Sequence, residues 1–179
     1  MFDAEAFIDQ CVTANRDGDP RRAVKAVMEE VLSAPSEVVD ALGSTTAGLT
    51  VLHQSADLTI INVVWAPRMR IFPHDHRMWA AIGLYAGRED NTFFRRDGDR
   101  LVESGGKALE ERDVALLGDD TIHAVANPLD RYTAAIHVYG GDFSATPRSQ
   151  WDPTTLVEEP YDIEVVRRAF QAAEAAASG

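Results

Sequence analysis

The spacing of apolar and polar residues changes near residue 45. Before it, apolar positions recur at helical intervals. Phe7/Cys11 and Ile8/Val12 are i, i+4 pairs, which predicts a helix over Phe2 to Asn15. Arg16–Asp17–Gly18–Asp19 interrupts it, and Asp19–Pro20 reads as an N-cap followed by a proline in the first turn. Val24, Val27, Met28, Val31 and Leu32 then form one face of a second helix. Pro35 ends that helix, Ser36 caps a short third one through Leu42, and Gly43 stops it. Cys11 belongs to this scaffold as a packed core thiol.

From about Thr45 the period is two. Strands are expected over Leu49–Gln54, Leu58–Trp65, Met69–His76, Met78–Tyr85, Asn91–Arg96, Leu101–Glu103, Asp113–Leu117, Ile122–Ala126 and Thr133–Tyr139. Short breaks separate them, among them Ala66–Pro67, Asp97–Gly98–Asp99, Gly105–Gly106 and Asn127–Pro128. Many short strands with turn residues between them predict a mainly β sandwich or closed barrel. No βαβ alternation and no phosphate-binding glycine pattern occurs. After Gly141 an acidic, proline-punctuated stretch from Trp151 to Pro160 is expected to lie along the barrel wall. Asp162 then caps a last helix from Ile163 to about Ala176. With no internal repeat and no long linker, the chain is read as a single domain, 1–179. It has a helical part at 1–43, a barrel at 45–143 and a C-terminal extension at 144–179.

Candidate chemistry centres on Phe72 to Tyr85, FPHDHRMWAAIGLY. His74 and His76 are two residues apart, so in a strand they share a face and form a chelate for a divalent metal. Their neighbours Phe72, Trp79, Ile82 and Leu84 are apolar, which implies burial, and a buried imidazole needs a partner. His123 is a third candidate ligand, with Asn127 four residues later. All five histidines (His53, His74, His76, His123, His137) fall in the β region.

The HxH pair and the later His-x-x-x-Asn resemble the two metal motifs of the cupin superfamily. The surrounding segments are similar to the bacterial cysteine dioxygenase type of cupin, the group that includes 3-mercaptopropionate dioxygenase. They are Trp65, PHDHRMW at 73–79, IGLYAGRE at 82–89, IHAVANP at 122–128 and IHVYGGDF at 136–143. The resemblance runs from about Trp65 to Phe143. It implies a double-stranded β-helix, or jelly-roll barrel, with N-terminal helices and a C-terminal helix. It also implies Fe(II) held by His74, His76 and His123, and oxidation of a small thiol by O2 to a sulfinate. His137 and Tyr139 match the last two members of a Ser-x-His-x-Tyr relay whose first position is Ala135 here.

Other departures matter. Most cupins place a Glu four or five residues after the HxH pair; Ala80 and Ala81 stand there. Ala81 also occupies the position of the cysteine that mammalian enzymes crosslink to the tyrosine. The family anchors the substrate carboxylate with an Arg or Gln on the strand before Trp65, and Thr46 to Leu52 contains neither. Arg70 has the parity of His74 and His76 and would reach the same interior if no bulge intervened at Pro73. Trp79 and Phe72 would supply a dry wall. Three neutral histidines leave an iron site at about +2 rather than about +1, which favours an anionic chelating ligand. An oxygenase acting on a non-thiol chelating anion, or a non-catalytic metal-binding cupin, are the competing readings.

Composition narrows the partners. At 179 residues, 45% apolar and 26% charged, the chain is ordinary for a globular protein. A formal net charge of −12 argues against nucleic acid and against an anionic membrane surface, though not against a small anion drawn to a buried cation. A single cysteine excludes an intrachain disulfide and a cysteine-based zinc site. The acidic N-terminus is unlike a signal peptide, and a cytoplasmic location is expected. The expected partners are O2 and a small-molecule substrate; oligomeric state is not legible.

Overall fold

Three aspartates start helices. In the computed structural model, which describes residues 1–98 and 100–179, Asp3 caps α1 (Ala4–Ala14), Asp19 caps α2 (Pro20–Val31) and Asp162 caps α4 (Ile163–Ala177). Each accepts hydrogen bonds from backbone amides of the first turn. The short α3 (Pro35–Leu42) differs from expectation. Pro35 begins it rather than ending α2, and Ala34 stands at the cap position with no side-chain bond, so Ser36 is inside the helix.

Among the described residues eleven strands lie between α3 and α4: β1 (Gly48–Gln54), β2 (Thr59–Trp65), β3 (Arg70–Asp75), β4 (Ala80–Ala86), β5 (Arg88–Asp97), β6 (Arg100–Glu110), β7 (Val114–Leu117), β8 (Ile122–Ala126), β9 (Thr133–Tyr139), β10 (Ser149–Trp151) and β11 (Glu158–Pro160). They form two antiparallel sheets, ordered β1-β2-β9-β4-β7 and β11-β10-β3-β8-β5-β6. From β2 to β9 the chain changes sheet at every connection except β5 to β6. That alternation is the jelly-roll winding of a double-stranded β-helix. The expected fold class is thus observed.

β2 and β9 are buried at every residue. One face of their sheet looks into the barrel and the other lies beneath α1–α3, which is why TIINVVW and TAAIHVY read as continuous rather than alternating runs. Cys11 packs in the helical layer, where burial pushes its thiol up to about 12. α4 lies on the barrel side, where Val166 and Phe170 join the interior core.

Two stretches differ from the sequence reading. Gly105–Gly106, expected as a break, lies inside β6. Phe93 pairs with Gly105 and Phe94 with Glu103, so Ser104 is an extra, bulged residue, and Gly105 takes φ +146° there. The acidic tail stretch forms the β10–β11 hairpin, which joins the sheet beside β3 through the pair Gln150 and His74. Asp99, part of the expected turn Asp97–Gly98–Asp99, lies outside the described residues.

Candidate metal centre

A bulge in β3 decides what faces the interior. Ile71 pairs with Val125 and His74 with His123, so Phe72 and Pro73 together oppose Ala124. Pro73 has no N–H for the ladder, which suits it to this place. The extra residue reverses the parity of the strand's first half. Ile71, not Arg70, shares the inward face with His74 and His76. Arg70 is exposed and lines a groove on the outer face with Phe72, Pro73 and Asp90. The expectation that Arg70 and Phe72 reach the site is therefore corrected. Trp79 is also elsewhere: it packs in the helical layer and against Gly140. Trp65, Phe143 and Phe170 form the apolar wall instead.

His74, His76 and His123 do come together. One ring nitrogen from each lies within 4.8 Å of the others, and all three side chains are buried. Among the described residues this is the group of three that fits a metal ion, and no carboxylate belongs to it. His74 Nδ1 lies 3.0 Å from the carbonyl oxygen of Phe72, to which it donates, leaving Nε2 with a bare lone pair. His123 Nδ1 lies 2.7 Å from Asn91 Oδ1, and its Nε2 faces His76 Nε2 at 3.2 Å. His76 Nδ1 has no hydrogen-bond partner. Burial pushes His74 down to about 4 and holds His76 and His123 well below the usual histidine range. Three neutral imidazoles with converging nitrogens are a donor set suited to a divalent metal.

Asp75, between the two ligand candidates, points away from them. It accepts from the Ser149 amide at 2.8 Å and pairs with Arg77 at 2.7 Å, tying β10 to β3. Asn127 does not touch His123. Its side chain bonds the carbonyls of Ala66 and Arg131, the Leu129 amide and the Thr133 hydroxyl, so it organises the β8–β9 connection.

His137 and Tyr139 line the same cavity, with His137 Nδ1 3.0 Å from the Tyr139 hydroxyl. The Tyr139 ring stands edge-on to His76 at 5.0 Å between centroids, and burial pushes its phenol up. The cavity is small, about 40 Å³, which admits a few waters or a small ligand. Its remaining walls are apolar: Leu49, Ile61, Val63, Ile71, Val125 and Val166.

Three residues near the site escaped the sequence reading. Glu89 and Asn91 lie behind the histidines on β5. Their i, i+2 spacing was visible, but the strand expected there began only at Asn91, whereas β5 starts at Arg88 and includes Glu89. Arg148, in the β9–β10 connection, is stacked between the rings of Phe143 and Tyr161 at 3.8 and 3.9 Å. Both rings line the cavity, and the arginine's charge helps hold down His74 and His76 after burial and the neighbouring groups. No local pattern marks that position.

No family model matches this chain. Its fold is similar to that of a Bacillus halodurans protein (TM-score 0.51, 15% identity, covering 58% of this chain and 77% of the other). It also aligns with a cupin family protein with a double-stranded β-helix fold from Methanocaldococcus jannaschii (0.47, 11%, 56% and 85%). A third match is a variant of oxalate decarboxylase from Bacillus subtilis (0.42, 18%, 51% and 23%). By strand order the fold is a double-stranded β-helix, and it holds a three-histidine cluster fit for a metal ion. No helix among the described residues is long and apolar enough to cross a membrane.

Proposed function

We propose that the protein is a mononuclear non-haem iron dioxygenase that converts a small anionic thiol into a sulfinate. The observation that carries this is the cluster of His74, His76 and His123 without a carboxylate, facing the Tyr139–His137 pair. The reaction is R–S⁻ + O2 → R–SO2⁻: two S–O bonds form, the O–O bond breaks, and no proton is taken up. Fe(II), when bound, would supply adjacent positions for thiolate and O2 and lower the thiol's pKa.

The chain's own residues have distinct tasks in this reading. The histidines, neutral in their buried setting, leave the full metal charge to attract the anion. Tyr139, its phenol protonated, orients the bound substrate by a hydrogen bond, and His137 holds the phenol in place. Trp65, Phe143 and Phe170 exclude water. The small cavity favours a short substrate. Arg148 takes the part of the carboxylate anchor for which β1 has no residue: it is fixed by two rings beside the cavity, and its Nε is buried without a partner. The apolar walls favour a second reading, an oxygenase of a non-thiol chelating anion such as an enolised dione.

The test is oxygen uptake by anaerobically iron-loaded protein with cysteine, 3-mercaptopropionate, cysteamine and a dione, with product mass. Uptake with a thiol and addition of two oxygen atoms to it supports the first reading. Uptake with the dione alone supports the second; no uptake with any of them leaves a metal-binding cupin without this chemistry. Arg148→Ala is expected to raise KM for carboxylate-bearing thiols about 10- to 100-fold, the worth of a charge-assisted hydrogen bond, while sparing cysteamine. Equal loss for both substrates would remove Arg148 as the anchor.

A further inference from the structure

Glu89 is fully buried, with 0% of its surface exposed, although a lone buried carboxylate is costly. It is satisfied by donors on two sides. The Trp65 indole N–H donates to Oε2 at 3.1 Å, and Asn91 Nδ2 donates to Oε1 at 2.9 Å. Oε2 also faces His137 Nε2 at 3.5 Å. Asn91 in turn places its Oδ1 2.7 Å from His123 Nδ1. One carboxylate thus stands behind both a ligand candidate and the histidine that holds Tyr139.

We propose that Glu89 is a positioning residue that selects the metal-competent tautomer of His123 through the side-chain amide of Asn91. An ionised carboxylate only accepts hydrogen bonds. It therefore forces the Asn91 amide to turn its NH2 toward Glu89 and its oxygen toward His123. An oxygen at that place requires the proton of His123 to sit on Nδ1. Nε2, the nitrogen that faces His76, is then left as a bare lone pair. If the amide turned over, its NH2 would face Nδ1 and the proton would move to Nε2, blocking metal ligation. The proposal rests on the three-histidine metal site and not on the identity of the substrate.

Swapping donors and acceptors tests it. In Glu89→Gln, residue 89 can no longer accept from both Trp65 and Asn91, so the amide loses its fixed sense. Zinc(II) affinity, measured by competition with a chromophoric chelator, is expected to fall about 10- to 100-fold, the usual cost of losing an outer partner of a ligand histidine. Imidazole 15N NMR of the metal-free protein should show His123 shifting toward the Nε2–H form. Asn91→Ala should lower zinc affinity likewise while leaving the Glu89–Trp65 bond intact. The double variant Glu89→Gln/Asn91→Asp restores the logic. Its new amide accepts from Trp65 and donates to its new carboxylate, which accepts from His123 Nδ1. It should recover most of the affinity and the original tautomer.

The proposal is overturned if Glu89→Gln and Asn91→Ala bind zinc as wild type does with unchanged His123 shifts. Lost affinity with an unchanged tautomer overturns it too, because the carboxylate then only supports packing. Should Glu89→Gln fail to fold, the tautomer and affinity of Asn91→Ala and of the double variant decide the matter by the same criteria. A wild type that binds zinc but oxidises no thiol would sink the proposed reaction and leave this inference standing. A wild type that binds no metal would sink the site.

Discussion

The sheet formed by β2, β9 and β4 has two buried faces made of alternate residues of the same strands, and they are built differently. Toward the helices it presents Ile60, Val64, Ala134, Ile136, Val138 and Ala81, packed on Phe7, Val24, Met28 and Leu32. The polar group there, Tyr85, is paired with Asn62 at 2.8 Å and with the Gly43 carbonyl at 2.7 Å. Toward the barrel the strands present Trp65, His137 and Tyr139 opposite three buried histidines, Glu89 and Asn91. There His76 Nδ1 and His137 Nε2 have no hydrogen-bond partner. Buried polar groups are normally satisfied, and unsatisfied ones mark function or a missing ligand. One face is packed apolar against the helices; the other places buried polar groups around the three-histidine cluster.

His76→Ala should separate the two faces most strongly. Its ring supplies a metal nitrogen and makes no hydrogen bond through Nδ1. Metal affinity should fall by more than about 100-fold, beyond the loss of an outer partner alone. The denaturation midpoint of the metal-free protein should fall by less than a core truncation causes. Titration with zinc and urea unfolding of the same preparation read both quantities. Retained affinity would mean that the cluster is not the metal site.

The opposite pattern is expected at Leu32, which is 1% exposed. Leu32→Ala should cost about 2–5 kcal/mol, the range for a buried leucine, while the folded fraction binds metal unchanged. Gly83 on β4 sharpens this. A Cβ there would fall 2.6 Å from Leu32 Cδ1 and 2.8 Å from Met28 Cε. Gly83→Ala should therefore destabilise the native protein but recover part of the loss when combined with Leu32→Ala. The coupling is read by a double-mutant cycle in urea. Additive losses would show that the helical layer does not close on β4 as tightly as those distances indicate.

The two faces were not equally legible in the sequence. The helical face followed from local rules: Asp19 caps a helix, and Val24, Met28 and Leu32 repeat at helical spacing. His74, His76 and His123 were legible because a chelate on a strand has a period of two. What escaped depends on tertiary events. The bulge at Phe72–Pro73 reversed the side on which Arg70 emerges. Glu89 breaks the rule that charged strand residues face solvent, so its burial was invisible before β5 was placed against β8. Arg148 reaches the cavity wall from a long connection and has no periodicity to betray it.

The smallest expected effect concerns the β10–β11 hairpin, which borders the barrel face at His74 and leaves the helical face untouched. Glu158 on β11 accepts from both guanidinium nitrogens of Arg96 and from Ser149 Oγ at 2.6 Å. Arg96, and then the Ser149 hydroxyl, lower its carboxyl from 4.5 to about 2. A depressed carboxylate contributes stability that is fully present above about 4.5 and disappears as pH falls toward about 2. The group is largely solvent-exposed, so the contribution is small and screened by salt. In metal-free protein, the amide protons of Gln150 and Trp151 should exchange faster as pH falls through that window than intrinsic chemistry predicts. Those of β9 beneath the helices should keep their protection. Glu158→Gln should reproduce the loss at neutral pH, most clearly at low ionic strength. If it leaves hairpin protection unchanged there, the backbone ladder and the Asp75–Ser149 bond hold β10 without help from Glu158.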